Sequence, residues 1–502
     1  MGNDFAAGAA AVNIPHIGAD YCARHGEILD PPEWPQQIRC LVLAWGEDLT
    51  VLFNADWGAW PRLIPETREI VARLAPGCSV ETLCFATTAS HNVDFDGIHW
   101  TALDPKDKRH DPVQRAQLLD AIRDAAAQAL QTLRPASVAV GEGTCEGLAV
   151  NFYTGGEPVD STVPVLRFAD AEENLIAVLA GVACRTDDRD RHLSAGLAGA
   201  MAATVQKVYG PVPVFYFNTG SSDQYPLAAD PPMELREQGR AAIQEARHRC
   251  SVREYGRLGR LLGGEVCKVL ARLEVAGEPL LAQNERWRST SWRRTAPGLR
   301  LDDPVVRVQS VPVRLWHRPI PSAAECDARV QALEAQMKPL TKALPYEPRH
   351  YAPYPLDPED TGSDLHRLME LHSERSYWAG AAGRAKWEAR YGKARQTHGE
   401  VKIIALGRDV ALVCFPGHLS PAAMRPLKDR SPFPVTLFWG EMGPWNLGHL
   451  MFEAQGRLGG VHYGNCDYAQ EAIDAMNAVL LQHLHALHED LPPLNPDRLK
   501  GV

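Results

Sequence analysis

Short apolar runs recur along this chain and set its expected architecture. CLVLAW (40–45), LTVLFNAD (49–56), VETLCFAT (80–87), ASVAVGEG (136–143), VPVLRF (163–168), LIAVLAGVAC (175–184), PVFYFN (213–218), VKIIAL (401–406), VALVCF (410–415) and PVTLFW (434–439) are rich in β-branched and aromatic residues. Gly, Pro, Asn or Asp bounds them, which marks strands. Several are continuously apolar rather than alternating, as strands covered on both faces are.

Between the runs the period lengthens. HDPVQRAQLLDAIRDAAAQALQTL places Val113, Leu118, Ile122, Ala126 and Leu130 on one helical face, with Asp111 as cap and Pro112 at the first helical position. Ser194 is placed to cap a helix over 195–208, and Ser322 with Glu325 forms a capping box before ARVQALEAQM. A long polar helical region follows Ser363, and another helix is predicted over 468–489. Strands and helices alternate over the first 220 residues, helical and loop-rich material fills the middle, and strands return after 400. The expected fold is α/β: layered mixed β-sheets flanked by helices, with a long helical and loop insertion. Residues 1–230 and 401–502 form the two parts of the core, and 231–400 an insertion or lid. LPYEPRHYAPYPLDPED (344–360) reads as an exposed connection. No internal repeat is visible.

Composition narrows the function classes. The 502 residues are 45% hydrophobic, enough for a sizeable core. A formal net charge of −10 without a long basic run argues against nucleic acid as partner. MGNDFAAGAAAVNIP has neither the basic start nor the apolar core of a secretory signal. No apolar stretch approaches the roughly 18 residues of a membrane span. The 11 scattered cysteines, with no C-x-x-C pair, read as buried thiols in a reduced compartment. The expected protein is therefore cytoplasmic, not inserted in a membrane, and compatible with a homo-oligomer.

Candidate chemistry sits where strands end, because layered α/β proteins gather their sites there. His91 follows VETLCFATTAS, with Asp94, Asp96 and His99 close behind. His418 follows VALVCFPG, and His449 lies in WNLGHL after PVTLFW. Three histidines from three strand ends are what a catalytic zinc with an open position needs. Their spacing alone fits three separate core or surface histidines better. FNTGSSDQYP (217–226) offers Asp223 and Tyr225 in a turn whose serines and N–H groups fit either a nucleophile with an oxyanion site or an ordinary polar turn. ACRTDDRDRH (183–192) offers Arg185, for a substrate anion or for surface ion pairs.

Taken in order, these segments resemble the neutral/alkaline, non-lysosomal ceramidase family. FATTASHNVDFDG occupies the place of the family's S-A-T-H-T-H-S-G-P. VGEGTCEGLAVNFYTGG resembles its G-x-G … N-R-R segment and keeps Asn151. VDSTVPVLRFADAEENLIAVLAGVAC is a close likeness of V-D-P-x-V-x-V-L-R-F … A-V-L-x-N-F-A-C-H-P. FNTGSSDQYP stands for N-G-x-x-G-D-x-S-P, and IIALGRDVALVCFPGHLSP for L-G-D-x-A-L-V-x-L-P-G-E-x-F. The likeness spans most of the chain. It implies an α/β zinc-dependent amidase scaffold that cleaves the N-acyl bond of ceramide-like lipids.

Carried over residue by residue, the resemblance keeps the first zinc ligand as His91 and replaces the second by Arg185. The third, a glutamate, becomes His418, and the fourth, a tyrosine, becomes His449. The nucleophilic serine becomes Tyr225, the preceding Asp is kept as Asp223, and the second His of T-H-T-H becomes Val93. The expectation is a metal-dependent hydrolase with zinc or another divalent ion on His91, His418 and His449. Asp223, Tyr225 and Asp94 would handle protons. Arg185, Asn151 and His99 would bind a small, anionic substrate with a C–N bond to cleave. A metal-dependent lyase, isomerase or cyclase on the same scaffold, and a non-catalytic ligand-binding protein, are the alternatives.

Overall fold

The structure, a computed structural model, describes residues 5–14, 34–57, 63–89, 112–151, 159–186, 194–227, 240–283, 291–295, 297–343, 364–443, 447–450 and 468–492. Three main sheets carry the fold. The first has β1 (Phe5–Asn13), β2 (Gln37–Trp45), β3 (Asp48–Ala55), β4 (Cys78–Thr87) and β5 (Arg134–Pro135), in the order β4-β3-β2-β1-β5. The second has β6 (Ser137–Thr144), β8 (Thr162–Ala169), β9 (Leu175–Val182), β10 (Val214–Asn218) and β14 (Leu299–Leu301), in the order β10-β9-β8-β6-β14. The third has β15 (Val306–Trp316), β16 (Gln396–Leu406), β17 (Val410–Cys414) and β19 (Val435–Trp439), in sequence order. Three two-stranded ladders complete it: β7 (Ala149–Asn151) with β11 (Gln224–Pro226), β12 (Pro279–Gln283) with β13 (Ser291–Thr295), and β18 (Gly417–Leu419) with β20 (Gly448–Leu450).

The connectivity repeats three times. Each main sheet has three strands in antiparallel succession: β1-β2-β3, β6-β8-β9 and β15-β16-β17. A helix then crosses to a parallel edge strand. The helices are α1 (Ile64–Leu74), α3 (Gly196–Tyr209) and α7 (Pro421–Arg430), and the edge strands β4, β10 and β19. A second helix follows each unit: α2 (Pro112–Gln131), α4 (Arg240–Leu273) and α8 (Gln470–Asp490). The sequence shows no repeat because topology constrains only which positions are apolar, and unrelated residues satisfy that constraint. The remaining helices, α5 (Ala323–Ala343) and α6 (Asp364–Tyr391), pack on each other.

Two-residue periodicity sorts the core. Leu41 and Leu52, Leu166 and Phe217, and Ile404 and Leu412 point from the three sheets into one shared central cluster. Their chain neighbours point outward under helices. Val42 and Phe53 meet Leu118 and Ile122 of α2, Val165 meets Leu197 of α3 and Leu258 of α4, and Ile403 and Val413 meet Leu427 of α7 and Ile473 of α8. Each sheet is thus buried on both faces, which is why the strand segments read as continuously apolar. The stretch 231–400 enters these layers: α4 packs on β6 and β8, β14 extends the second sheet, and β15 opens the third.

The expected strands are all present. The longest of the strands that were not expected are β1, whose FAAGAAAVN is too alanine-rich to signal a strand, and β15. The Ser322–Glu325 capping box forms, with Ser322 N donating to Glu325 Oε2 at 2.9 Å and Glu325 N to Ser322 Oγ at 3.3 Å. Ser194 Oγ accepts from Gly196 N at 3.0 Å, at the start of α3. None of the eight cysteines whose side chains are described forms a disulfide, and all but Cys78 and Cys267 are buried. No described helix is long and apolar enough to cross a membrane.

One close approach bears directly on the site. Gly181 of β9 lies opposite Phe217 of β10, and a Cβ at Gly181 would sit 2.4 Å from the Phe217 ring. That ring lies against Trp439 of β19 at 5.3 Å between centroids, so it joins the second and third sheets. Gly181→Ala is expected to lower stability by about 1–3 kcal/mol, since a packed core accommodates the added methyl only by strain. Urea denaturation checks this: the midpoint falls and the slope stays unchanged.

Candidate functional site

The parallel strand pairs of the three units end at one place, and hydrogen bonds tie those ends together. Thr87 N, closing β4, donates to Glu441 O at 3.1 Å, and Gly443 N donates back to Phe85 O at 2.7 Å. Gly440 N, just past β19, donates to Asn218 O at the end of β10 at 2.8 Å. Asn54 Nδ2 of β3 donates to Tyr216 O at 3.2 Å. Thr186 Oγ1, beyond β9, donates to Thr88 O, just past β4. β4, β19, β10 and β9 are therefore linked in a ring. The loops that leave it carry most of the residues singled out in the sequence.

Arg185 is 3% exposed. Its backbone N donates to Gln224 O at 3.0 Å, and its Nη1 donates to the Tyr225 hydroxyl at 2.8 Å. The guanidinium also lies 5.1 Å from the centre of the Tyr225 ring. A buried guanidinium beside a phenol makes a rigid cationic corner, and the ring face adds to its hold.

Asp223 is buried two residues earlier. Asn151 Nδ2 donates to its Oδ2 at 3.2 Å, and Ser420 Oγ to the same oxygen at 3.4 Å. Asn151 reaches it because β7 pairs Asn151 with Gln224 of β11. Burial pushes the Asp223 carboxyl above the usual carboxylate range, against the hydrogen bonds from Gln224, Ser420 and Asn151, which favour the ionised form. A cavity of about 540 Å³ opens beside Asp223, Gln224 and Thr219, with Arg425 and Lys428 of α7 and Asp160 on its wall. That volume suits a small metabolite.

His418 is 4% exposed on β18 and is the register partner of His449 on β20. Its Nδ1 meets the carboxylate of Glu441, itself 2% exposed. Ser222 N donates to Leu419 O at 2.9 Å, which sets the Asp223 turn against the His418 strand. His91, Asp94 and His99 lie outside the described residues, as does the side chain of His449. β4 ends at the same ring, four residues before His91 in the chain. Among the described residues, no group of three or more His, Cys, Asp or Glu stands close enough to hold a metal ion.

Glu441 and Ser420 escaped the sequence reading. The available signal for Glu441 was a charged residue immediately after the buried strand and glycine of TLFWGE. Its φ of 62° is in the left-handed region, as is the 56° of Ala89, the last described residue before His91. Such backbone costs a non-glycine residue on the order of 1–2 kcal/mol and clusters where function holds the chain. A second feature is invisible in sequence. Thr88 Oγ1, Asn218 Nδ2, Ser221 Oγ, Ser222 Oγ and Trp439 Nε1 are all buried around the ring and have no hydrogen-bond partner among the described residues. Buried polar groups are normally satisfied, so a cluster of orphans marks a place for polar atoms beyond the described residues.

Three sheets of this connectivity, with a polar site at their joined strand ends, define a layered α/β scaffold, and solved structures identify the fold. The chain is similar to neutral ceramidase from Pseudomonas aeruginosa, with a TM-score of 0.60 over 100% of this chain and 78% of that one, at 13% identity. It is equally similar to a ceramidase complexed with C2, with a TM-score of 0.60 over 99% and 78%, at 12% identity. It has the ceramidase-like fold. No protein-family profile and no curated protein sequence matches it.

Proposed function

We propose that the protein is a metal-dependent hydrolase that cleaves a C–N, amide-like bond in a small polar metabolite rather than in ceramide. The observation that carries this is the buried His418, backed by the Glu441 carboxylate and register-paired with His449, beside the orphaned polar groups of the ring. The donor chemistry fits a metal: an imidazole with a carboxylate on one nitrogen is the usual form of a metal-binding histidine. His91, His418 and His449 would hold zinc or another divalent ion, which when bound polarises a carbonyl or makes water acidic.

The chain's own groups supply the rest. Arg185 binds a carboxylate or phosphate of the substrate, and its hold on Tyr225 fixes the phenol as a hydrogen-bond partner for the same molecule. Asp223, its carboxyl raised by burial and oriented by Asn151 and Ser420, is assigned to deliver a proton to the departing amine. Asn151, hydrogen-bonded to that carboxyl, is also assigned to substrate binding. Asp94 and His99, close behind His91 in the sequence, are assigned to proton handling and substrate binding. The unsatisfied polar groups favour a polar ligand over acyl chains, because an acyl chain would leave them unpaired. The same proposal places the enzyme in the cytoplasm, with no nucleic acid or membrane insertion and with homo-oligomerisation compatible.

A second reading, a lyase, isomerase or cyclase, is favoured by Tyr225 standing against Arg185: a phenol serves proton transfer better than acyl transfer. The purified protein incubated with pools of small amides and carboxylates, and followed by mass, separates the two. Product masses that sum to the substrate plus one water support hydrolysis. Products equal in mass to the substrate, or summing to it without water, assign the second reading. Purified protein that holds no metal and gains no stability from zinc sinks both.

A further inference from the structure

The geometry points to Glu441 as the positioning residue of the metal centre: its carboxylate holds Nδ1 of His418, so that Nε2 is the nitrogen presented to the metal. This inference deepens the proposal of a metal site and rests on it. Neither the motif spacing nor the residues that carry the ceramidase resemblance include Glu441.

Three independent features converge on the assignment. The contact joins two side chains that are both nearly fully buried, His418 at 4% and Glu441 at 2% exposure, where a carboxylate is costly unless it is paired. The Glu441 backbone is held at φ 62°, a conformation in which Gly or Asn is easier. A turn selected for stability alone would carry one of those. Finally, both Glu441 backbone groups are committed to strands that bear candidate ligands. Its N donates to Gly417 O at 3.0 Å, adjacent to His418, and its carbonyl accepts from Thr87 N at 3.1 Å, four residues before His91 in the chain. The residue is thus anchored between two of the three arms, with its side chain turned on His418.

The chemistry follows from imidazole's two nitrogens. A carboxylate on one fixes the proton there, leaves the other as a lone-pair donor, and increases its basicity toward a cation. It would also offset part of the positive charge that a divalent ion would bring into a buried site.

The test measures metal affinity by chelator competition for the purified wild type, Glu441→Gln, Glu441→Asn and His418→Ala. Removing such an outer carboxylate is expected to weaken metal binding about 10–100-fold. His418→Ala abolishes it at that site. Glu441→Asn, which suits left-handed backbone, is expected to lose affinity while its metal-free melting temperature falls no more than that of Glu441→Gln. A purely structural role predicts the reverse, lost stability with unchanged affinity. As a readout that needs no substitution, ¹⁵N shifts of His418 in the zinc-loaded wild type are expected to show a protonated Nδ1 and a coordinated Nε2. Coordination through Nδ1, or equal affinity of Glu441→Gln and wild type while His418→Ala loses the metal, overturns the role of Glu441 alone. A wild type without metal overturns the underlying proposal instead.

Discussion

His418→Ala is expected to yield a protein without bound metal whose turnover falls about a thousand-fold or more, ~4 kcal/mol in barrier. The effect is this large because no other described imidazole or carboxylate cluster is placed to take over. The substitution also leaves the buried Glu441 carboxylate facing a void, and breaking a buried charged contact from one side costs about 3–5 kcal/mol. Loss of metal and partial unfolding must therefore be told apart. His418→Gln does so: its amide donates to Glu441 in place of Nδ1 and keeps the volume filled, yet amide nitrogen is a poor ligand. Metal analysis and thermal melting of both variants check the expectation. Retention of stoichiometric zinc by a folded His418→Gln protein counts against a site at His418.

Asp223→Asn is expected to lower turnover by about 10²–10⁴-fold, the range for removing a positioned acid or base, and to raise stability at neutral pH. The stability sign follows from burial, which raises the folded-state carboxyl above its unfolded value. An unfolded Asp releases its proton near pH ~4. Between that value and the raised folded value, the folded chain holds a proton that the unfolded chain has lost. Stability therefore declines as pH rises through this window and stays lower above it. Asparagine carries no such dependence, and its Oδ1 still accepts from Asn151 and Ser420 at the 3.2 and 3.4 Å positions. The stability advantage of the variant is thus absent in acid below the unfolded value and grows toward neutral pH. Melting curves across that range, with a turnover assay at the optimum, read both effects. An Asn variant that is less stable at neutral pH and fully active would remove Asp223 from the site.

The two expectations share a physical origin. His418 and Asp223 lie on different units of the repeated topology, and the only direct main-chain bridge between their turns among the described hydrogen bonds is Ser222 N to Leu419 O. Ser420, next along, reaches back to the Asp223 carboxyl. Packing behind the site reinforces the bridge through Phe217 and Trp439. A change in any one unit is therefore felt at the site through the other two.

The chain's own pattern determined the strands and several helix starts. Continuous apolar runs such as LIAVLAGV require burial on both faces, and the Ser322–Glu325 spacing requires a capped helix start; both are local consequences of side-chain chemistry. The likeness of successive segments to ceramidases carried the fold, which the solved structures share at 12–13% identity. β1 was not legible because FAAGAAAVN has helix-forming composition and becomes a strand only through its pairing with β2. Nor was the threefold β-β-β-α-β connectivity, since each copy fills the same apolar positions with different residues. The partners of Arg185, Asp223 and His418 were decided by tertiary structure alone. Tyr225 is 40 residues from Arg185, and Ser420 is 197 residues from Asp223. No local rule links such positions until three sheets close around one core and bring their strand ends together.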